Sequence, residues 1–308
     1  MAKGALRQLL PSRSGKLTTG LVIVIGITLF AIIAPFFTQN PRSSQNPAML
    51  PPGADHLLGT TSLGYDVFAQ LAEGARSSLL VGVTAGAIAI VLSIIFGIVA
   101  GYVGGWTDAG LRLVTNIMLV IPAIPLQIVV ASYLQKRSLV LVAVILGVLG
   151  WAGGAVVLRS MALSLRTRDY VSAAKVAGEK TWRIILVEIM PNLLPLLAAQ
   201  FLFAVILAIL NEAGLSYLGL GPNNSITWGT ILNDAQGGSA LTRGAWWWFV
   251  PPGVLIALFG CGMSLINFAI DEIINPKLRS APQAAKRVRK AGGDVVVNAE
   301  QEPEKVNA

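Results

Sequence analysis

Charge is scarce in this sequence. Charged side chains make up 12% of the 308 residues, about half the ~25% of an ordinary soluble domain. Such a chain is read as a membrane protein before any motif is considered. Cysteine and histidine are almost absent, with one of each. The lone Cys261 excludes an intrachain disulfide, and its place in the last apolar run suggests a small buried apolar residue. His56 has no cysteine or second histidine with which to build a metal site. The stretch "GEKT" (178–181) lacks the Gly-Lys pair and glycine spacing of a phosphate loop, so no ATP site is expected from it. No nucleophile, base and acid cluster together, which argues against a membrane-embedded enzyme. The expectation is a non-catalytic chain with no cofactor of its own.

Apolar residues, by contrast, make up 54% of the chain. Uncharged runs occupy 17–41, 77–107, 113–135, 138–158, 189–211, 213–233 and 244–270. A span needs about 20 apolar residues to cross ~30 Å of hydrocarbon, and six of the seven qualify. The run at 213–233 concentrates Gly219, Gly221, Pro222, Asn223, Asn224 and Ser225. Irregular backbone facing lipid would leave its polar groups without partners, so this run reads as a loop outside the membrane.

Six crossings put both termini on one side. The segments 1–18, 102–112, 159–191 and 271–308 hold 4, 1, 6 and 7 Lys and Arg. The alternate segments 39–77, 135–138 and 217–248 hold 2, 2 and 1. The positive-inside rule therefore predicts cytoplasmic N and C termini. The net charge of +8 is a topology signal, and no nucleic acid is expected as a partner, since no aromatic residues interleave the basic ones. The basic start and first apolar run could suggest a leader, but the run is too long and lacks a small-x-small site, so it reads as an uncleaved span.

The resulting layout is a cytoplasmic segment 1–18, a six-span domain 19–274 and a basic, disordered tail 275–308 whose "KRVRK" (286–290) can meet anionic lipid. Within the domain lie an outer segment 38–77, a cytoplasmic insert 159–191 and an outer loop 213–246. "DVFAQLAEGARSSL" (66–79) suggests a short amphipathic helix at the outer surface, leading into the second span. Gly82/Gly86, Gly97/Gly101/Gly105 and Gly150/Gly154 have the four-residue spacing of close helix contacts, which serve either internal packing or a gate. Pro122 and Pro125 interrupt the third span and predict a kink, either on a translocation path or as ordinary transmembrane prolines. Asn211 and Glu212 form a polar step at the outer end of the fifth span, and an intramembrane acid is a functional candidate by default. Glu212 is expected either to face a central cavity, which the adjoining Asn211 favours, or to sit at the membrane interface.

The insert carries "DYVSAAKVAG" (169–178). Tyr170, Ala173, Ala174 and Ala177 fall at i, i+3, i+4 and i+7, on one narrow helical face. Asp169 is the expected N-cap, and Gly178 supplies a left-handed C-terminal position. "TWRIILVEIM" (181–190) predicts a second short helix with Trp182, Ile185, Leu186 and Ile189 on one face, ending before Pro191. This pair either caps the bundle or docks another protein.

"YVSAAKVAGEKTWRIILVEIMPNLLP" resembles the EAA loop of ABC importer permeases, with Ser172, Ala173, Ala174, Gly178, Ile189, Met190 and Pro191 at matching positions. Ser172 stands where the family usually has Glu, and Met190 where it has Leu. "HLLGTTSLGYDVFAQLAEGARSSLLVG" (56–82), "AGYVGGWTD" (100–108) and "NEAGLSYLGLGPNNSITWG" (211–229) resemble the C-type subunit of the dipeptide/oligopeptide/nickel permeases. Thr61, Tyr65 and Gln70 depart from the common Asp, Arg and Arg there. The resemblance implies an all-α, six-span type I ABC importer permease in the bacterial inner membrane. It implies pairing with a homologous permease, two cytoplasmic ATPases that bind ATP and Mg, and an extracytoplasmic binding protein. It places coupling at Tyr170, Ser172, Ala173, Ala174, Ala177, Gly178, Ile189 and Pro191, and makes Asn211, Glu212, Pro122 and Pro125 candidates for the path. Peptides are the first expected cargo. Nickel chelates or other small solutes, and a stand-alone secondary carrier, are the alternatives.

Overall fold

A computed structural model describes residues 15–274. The expectations for residues 1–14 and for the tail lie outside them. Among the described residues the structure is helical, without strands. In chain order it comprises α1 (Gly15–Ile33) with a 3-10 turn, and α2 (Val67–Val103), which passes through a π-helical stretch at Ile94–Val99. Then come α3 (Gly105–Val120), α4 (Ala123–Ser132), α5 (Leu139–Gly150), α6 (Ala152–Arg166) and α7 (Asp169–Val176). Last are α8 (Thr181–Tyr217, π-helical at Ile184–Ile189), α9 (Trp228–Gly237) and α10 (Trp246–Ile274).

Four helices, at Gly15–Phe36, Val67–Val103, Thr181–Tyr217 and Trp246–Glu272, are long and apolar enough to cross a membrane. Two more crossings exist only as bent pairs, α3 with α4 at 83° and α5 with α6 at 45°. Among the described residues there are thus six spans if each bent pair counts as one.

The first bend is sharper than the kink Pro122 and Pro125 predict. Ile121 (ψ 124°) and Pro122 (ψ 117°) are both extended, because a proline drives the residue before it out of the helical region. The helix stops, and Pro125 sits in the first turn of the next one, where its missing N–H costs little. The second bend has no proline. It falls at Trp151, flanked by Gly150, Gly153 and Gly154. The Trp151 ring packs 4.2 Å from that of Phe96 on α2, and Ser93 Oγ donates to Trp151 O at 2.8 Å. An anchored side chain and a helix-weakening glycine cluster together account for this break.

Most of the spaced glycines serve internal packing. A Cβ on Gly97 would lie 2.6 Å from Ala155 O, and one on Gly101 2.7 Å from Arg159 O, so α2 and α6 touch backbone to backbone there. Gly82 and Gly86 admit Ile209 and Val205 of α8 in the same way. Gly105 and Gly150 have open space instead and take no part in these contacts.

Three sequence expectations are corrected here. Residues 66–79 do lead into the second span, but as the N-cap and opening turns of α2 rather than as a surface helix. Val67, Ala69, Gln70, Leu71 and Ala72 are all buried, on more than one face, because α9 and the segment before α2 wrap this end. Asp66 caps the helix, accepting from Ala69 N at 2.8 Å, and also pairs with His56 Nδ1 at 2.8 Å. The segment 213–246 is not all loop: α8 runs on to Tyr217, and α9 opens with a Thr227 capping box and a fully buried Trp228. Cys261 is exposed rather than buried, on a part of α10 that faces out of the bundle. Arg137, an exception to the charge rule, clamps this same end of the bundle by donating to the carbonyls of Ala131, Leu134, Gly219 and Gly221.

Candidate functional site: a protruding helix and a cavity between two broken spans

The helix α7 projects from one end of the bundle. Val171 is fully buried and anchors it in a cluster with Ile98, Tyr102, Leu158, Ala162, Ile184 and Ile189. The opposite side is open. Tyr170, Ser172, Ala173 and Ala177 are exposed, and Ala174 is half-buried against the cluster. The small-residue face of the sequence is therefore available at the surface except at Ala174.

Asp169 is not the N-cap. That position is Arg168 (ψ 148°), with no side-chain cap bond, and Asp169 is the first helical residue. A carboxylate in the first turn still complements the helix dipole. The other end is as expected. Glu179 N donates to Ala174 O and Gly178 N to Lys175 O, the paired bonds of a Schellman cap. Gly178 has φ +79°. A Cβ there would meet nothing within 4 Å, so only the backbone angle demands glycine.

The second insert helix is not separate. Thr181 begins α8, which continues unbroken past Pro191 to Tyr217. Pro191 offers no N–H to the carbonyl four residues back, and the helix passes this point as a wider π turn. Ile184, Ile185 and Ile189 are buried, whereas Trp182 (59%) and Leu186 (52%) are exposed. Ile189 therefore supports α7 from beneath, and Pro191 lies on the exposed side of α8. Sequence reasoning missed Val176, which is 90% exposed. It stands one turn from Ser172 and Ala173, so it widens the apolar surface beside the alanine stripe.

Polar contacts brace the platform under α7. Arg159 of α6 forms a bidentate pair with Asp108 of α3, both bonds 2.6 Å. Lys175 Nζ lies 5.1 Å from the Tyr102 ring centroid. The run "AGYVGGWTD" thereby acquires a physical reading. Gly101 admits α6, Gly104 (φ +75°) and Gly105 (φ +59°) turn the chain, and Asp108 pins α3.

The two helix breaks border one open space, with Ile121, Pro122, Gly150 and Gly153 all exposed. A cavity of about 300 Å³ is lined by Ile121, Pro122, Gly150, Ala152, Gln127 and Asn211, among others. A second of about 450 Å³, reaching Ser93, Gly154, Gln200, Asn267 and Asp271, shares Ala89, Gly150, Gly153, Ala204 and Leu207 with it. Interrupted helices at membrane depth are tolerated where they line a cavity, and in transporters such breaks mark binding regions. Of the four path candidates, Pro122 and Asn211 line this space; Pro125 does not.

Glu212 corrects the remaining expectation. It is fully buried and faces no cavity. Its Oε1 accepts from Ser216 Oγ (2.5 Å) and Thr227 Oγ1 (2.7 Å). It thus ties α8 to the start of α9. A third, polar cavity of about 370 Å³ at the α9 end includes Arg42, Arg137 and Asp234, together with Tyr65 and Gln70. Burial pushes the Asp234 carboxyl above its usual range, and Arg42 partly offsets this.

The family model described as the inner membrane component of binding-protein-dependent transport systems matches residues 93–280. That stretch takes in α7 and both broken spans. The oligopeptide transport system permease protein of Bacillus subtilis (strain 168) is 34% identical over 272 residues, covering 87% of this chain and 88% of that one. The dipeptide transport system permease protein of the same strain is 35% identical over 263 residues, covering 84% and 81%. A putative peptide transport system permease protein of Brucella suis biovar 1 is 33% identical over 277 residues, covering 89% and 91%.

Proposed function

The chain belongs to the inner-membrane components of binding-protein-dependent transport systems, and on that premise we propose that it is one of two permease subunits of an ATP-driven peptide importer. Similarity to permeases named for oligopeptide and dipeptide transport, over more than four-fifths of both chains, carries the choice of cargo. The fitting partners are a homologous permease, two ATPases that supply ATP and Mg chemistry, and a binding protein that delivers peptide to the α9 end. The basic segments then face the cytoplasm, as the charge rule requires.

Coupling is the chain's own task in this reading. The exposed side of α7, with Tyr170, Ala173, Val176 and Ala177, suits a groove on an ATPase, because small side chains let backbones approach closely. Ser172 makes that contact without the charge usual at its position. Movement of α7 is passed to α6 and α3 through the Ile98–Leu158–Val171–Ile189 cluster and the Arg159–Asp108 pair. Both rods end at the cavity, α6 at Ala152 and α3 at Ile121. Long-range coupling needs a packed element that both ends can bias, and this route of contacts is the one proposed to serve.

The test is reconstitution in liposomes with the partner permease, the ATPases and the binding protein. Labelled di- and tetrapeptides are expected to enter with ATP and not with an ion gradient alone. Uptake by this chain alone on an ion gradient would favour a secondary carrier.

A further inference from the structure

We propose that the cavity at the α3–α4 break reads the amide backbone of the substrate, with Gln127 as a specificity-determining residue. This deepens the peptide reading and rests on it.

Gln127 lies on α4, one turn beyond Pro122 and Ala123, and lines the cavity. Only 1% of it is exposed, and its Oε1 has no hydrogen-bond partner. Leaving a buried polar atom unpaired is costly, and native structures seldom keep one without a use. The same cavity holds a second carboxamide, Asn211. In the adjoining space Gln200 and Asn267 supply two more, and Asn267 Oδ1 is also unpartnered.

The broken backbone adds groups of the same kind. Pro122 and Pro125 carry no N–H, so the carbonyls of Met118 and Ile121 lose their i+4 donors. The first N–H groups of α4, at Ala123 and Ile124, have no helical acceptor. Met118, Ile121 and Ala123 all line the cavity.

Carboxamides and free peptide groups each pair a donor with an acceptor, and neither carries charge. An extended peptide offers that pattern at every residue, whatever its side chains. Among the described residues Asp271 is the only charged side chain lining the two spaces, so side-chain charge is little discriminated there. Open space over Gly150 and Gly153 leaves the wall unobstructed at this depth. A nickel chelate or a sugar would not need such an array of amides.

The experiment uses the complete importer in liposomes, with labelled trialanine and its analogue methylated at the central amide nitrogen. The quantity read is the ratio of their uptake rates, compared between wild type and Gln127→Met. Any discrimination by the binding protein is common to both and cancels. Loss of one hydrogen bond predicts that Gln127→Met takes up trialanine about tenfold more slowly and loses about tenfold of its preference over the analogue. Its thermal midpoint in detergent should hold or rise, since a buried unpaired polar atom has been removed. Asn211→Leu, read by the same ratio, should also lose preference. An unchanged ratio and rate in both variants overturns the proposal and leaves the peptide reading standing. A lowered midpoint with an unchanged ratio assigns Gln127 a structural role and also overturns it. Failure of wild type to take up either peptide overturns both readings.

Discussion

Gly178→Val is expected to lower ATP-driven uptake at least tenfold while leaving the amount of permease in the membrane unchanged. Gly178 sits at φ +79°, where an L-residue costs about 1–2 kcal/mol and a β-branched one more. The space around it is empty, so no clash unfolds the bundle. The strain is relieved instead by opening the Schellman cap, which frees Ala174 O and Lys175 O and redirects Glu179 and Lys180. The exposed end of α7 then no longer holds the shape an ATPase would grip, and 1.4 kcal/mol is already a factor of ten. Gly178→Asn, which tolerates the left-handed region, should retain most of the uptake. Uptake normalised to membrane-inserted protein decides the matter; full activity in Gly178→Val would remove α7's cap from the coupling route.

Asp108→Ala is expected to act on stability first. It strands Arg159, whose side chain is only 23% exposed, beside a helix contact already at backbone distance. Removing one partner of a fully buried pair costs about 3–5 kcal/mol. Solvent access to this pair recovers part of that, and roughly 2 kcal/mol is expected here. The thermal midpoint in detergent should fall by several degrees, and uptake should fall with it because α3 and α6 no longer move as a unit. Asp108→Arg combined with Arg159→Asp should restore part of the loss. An unchanged midpoint in Asp108→Ala would show that the pair contributes nothing to holding the two rods together.

Much of this architecture was legible in the sequence because the bilayer imposes it. Span number follows from apolar run length, and Gly178 from the rule that only glycine takes a positive φ cheaply. What stayed illegible depends on neighbours distant in the chain. Residues 66–79 look amphipathic alone, yet α9 and the segment before α2 bury most of them, including Gln70. Trp151 breaks a span without proline because Phe96 and Ser93 hold it from another helix. Glu212 seemed bound for a cavity, but Ser216 and Thr227 hold its Oε1 within the wall. Gln127 gave no signal at all: a lone glutamine in an apolar run acquires meaning only when both broken spans meet around it. Val176 was passed over because the alanine periodicity drew the reading to one narrow face.

Cross-linking from α7 tests the coupling claim most directly. With Cys261→Ser removing the chain's one native cysteine, Ala173→Cys and Ala177→Cys place thiols on the exposed face of α7, and Phe203→Cys places one on an exposed part of α8 within the span as a control. In the assembled importer, Ala173→Cys and Ala177→Cys are expected to cross-link to an ATPase subunit, with a yield that changes on ATP binding. Phe203→Cys should give no such product. If the complex is active but neither α7 position reaches an ATPase with or without ATP, the helix does not carry the coupling and the account is wrong.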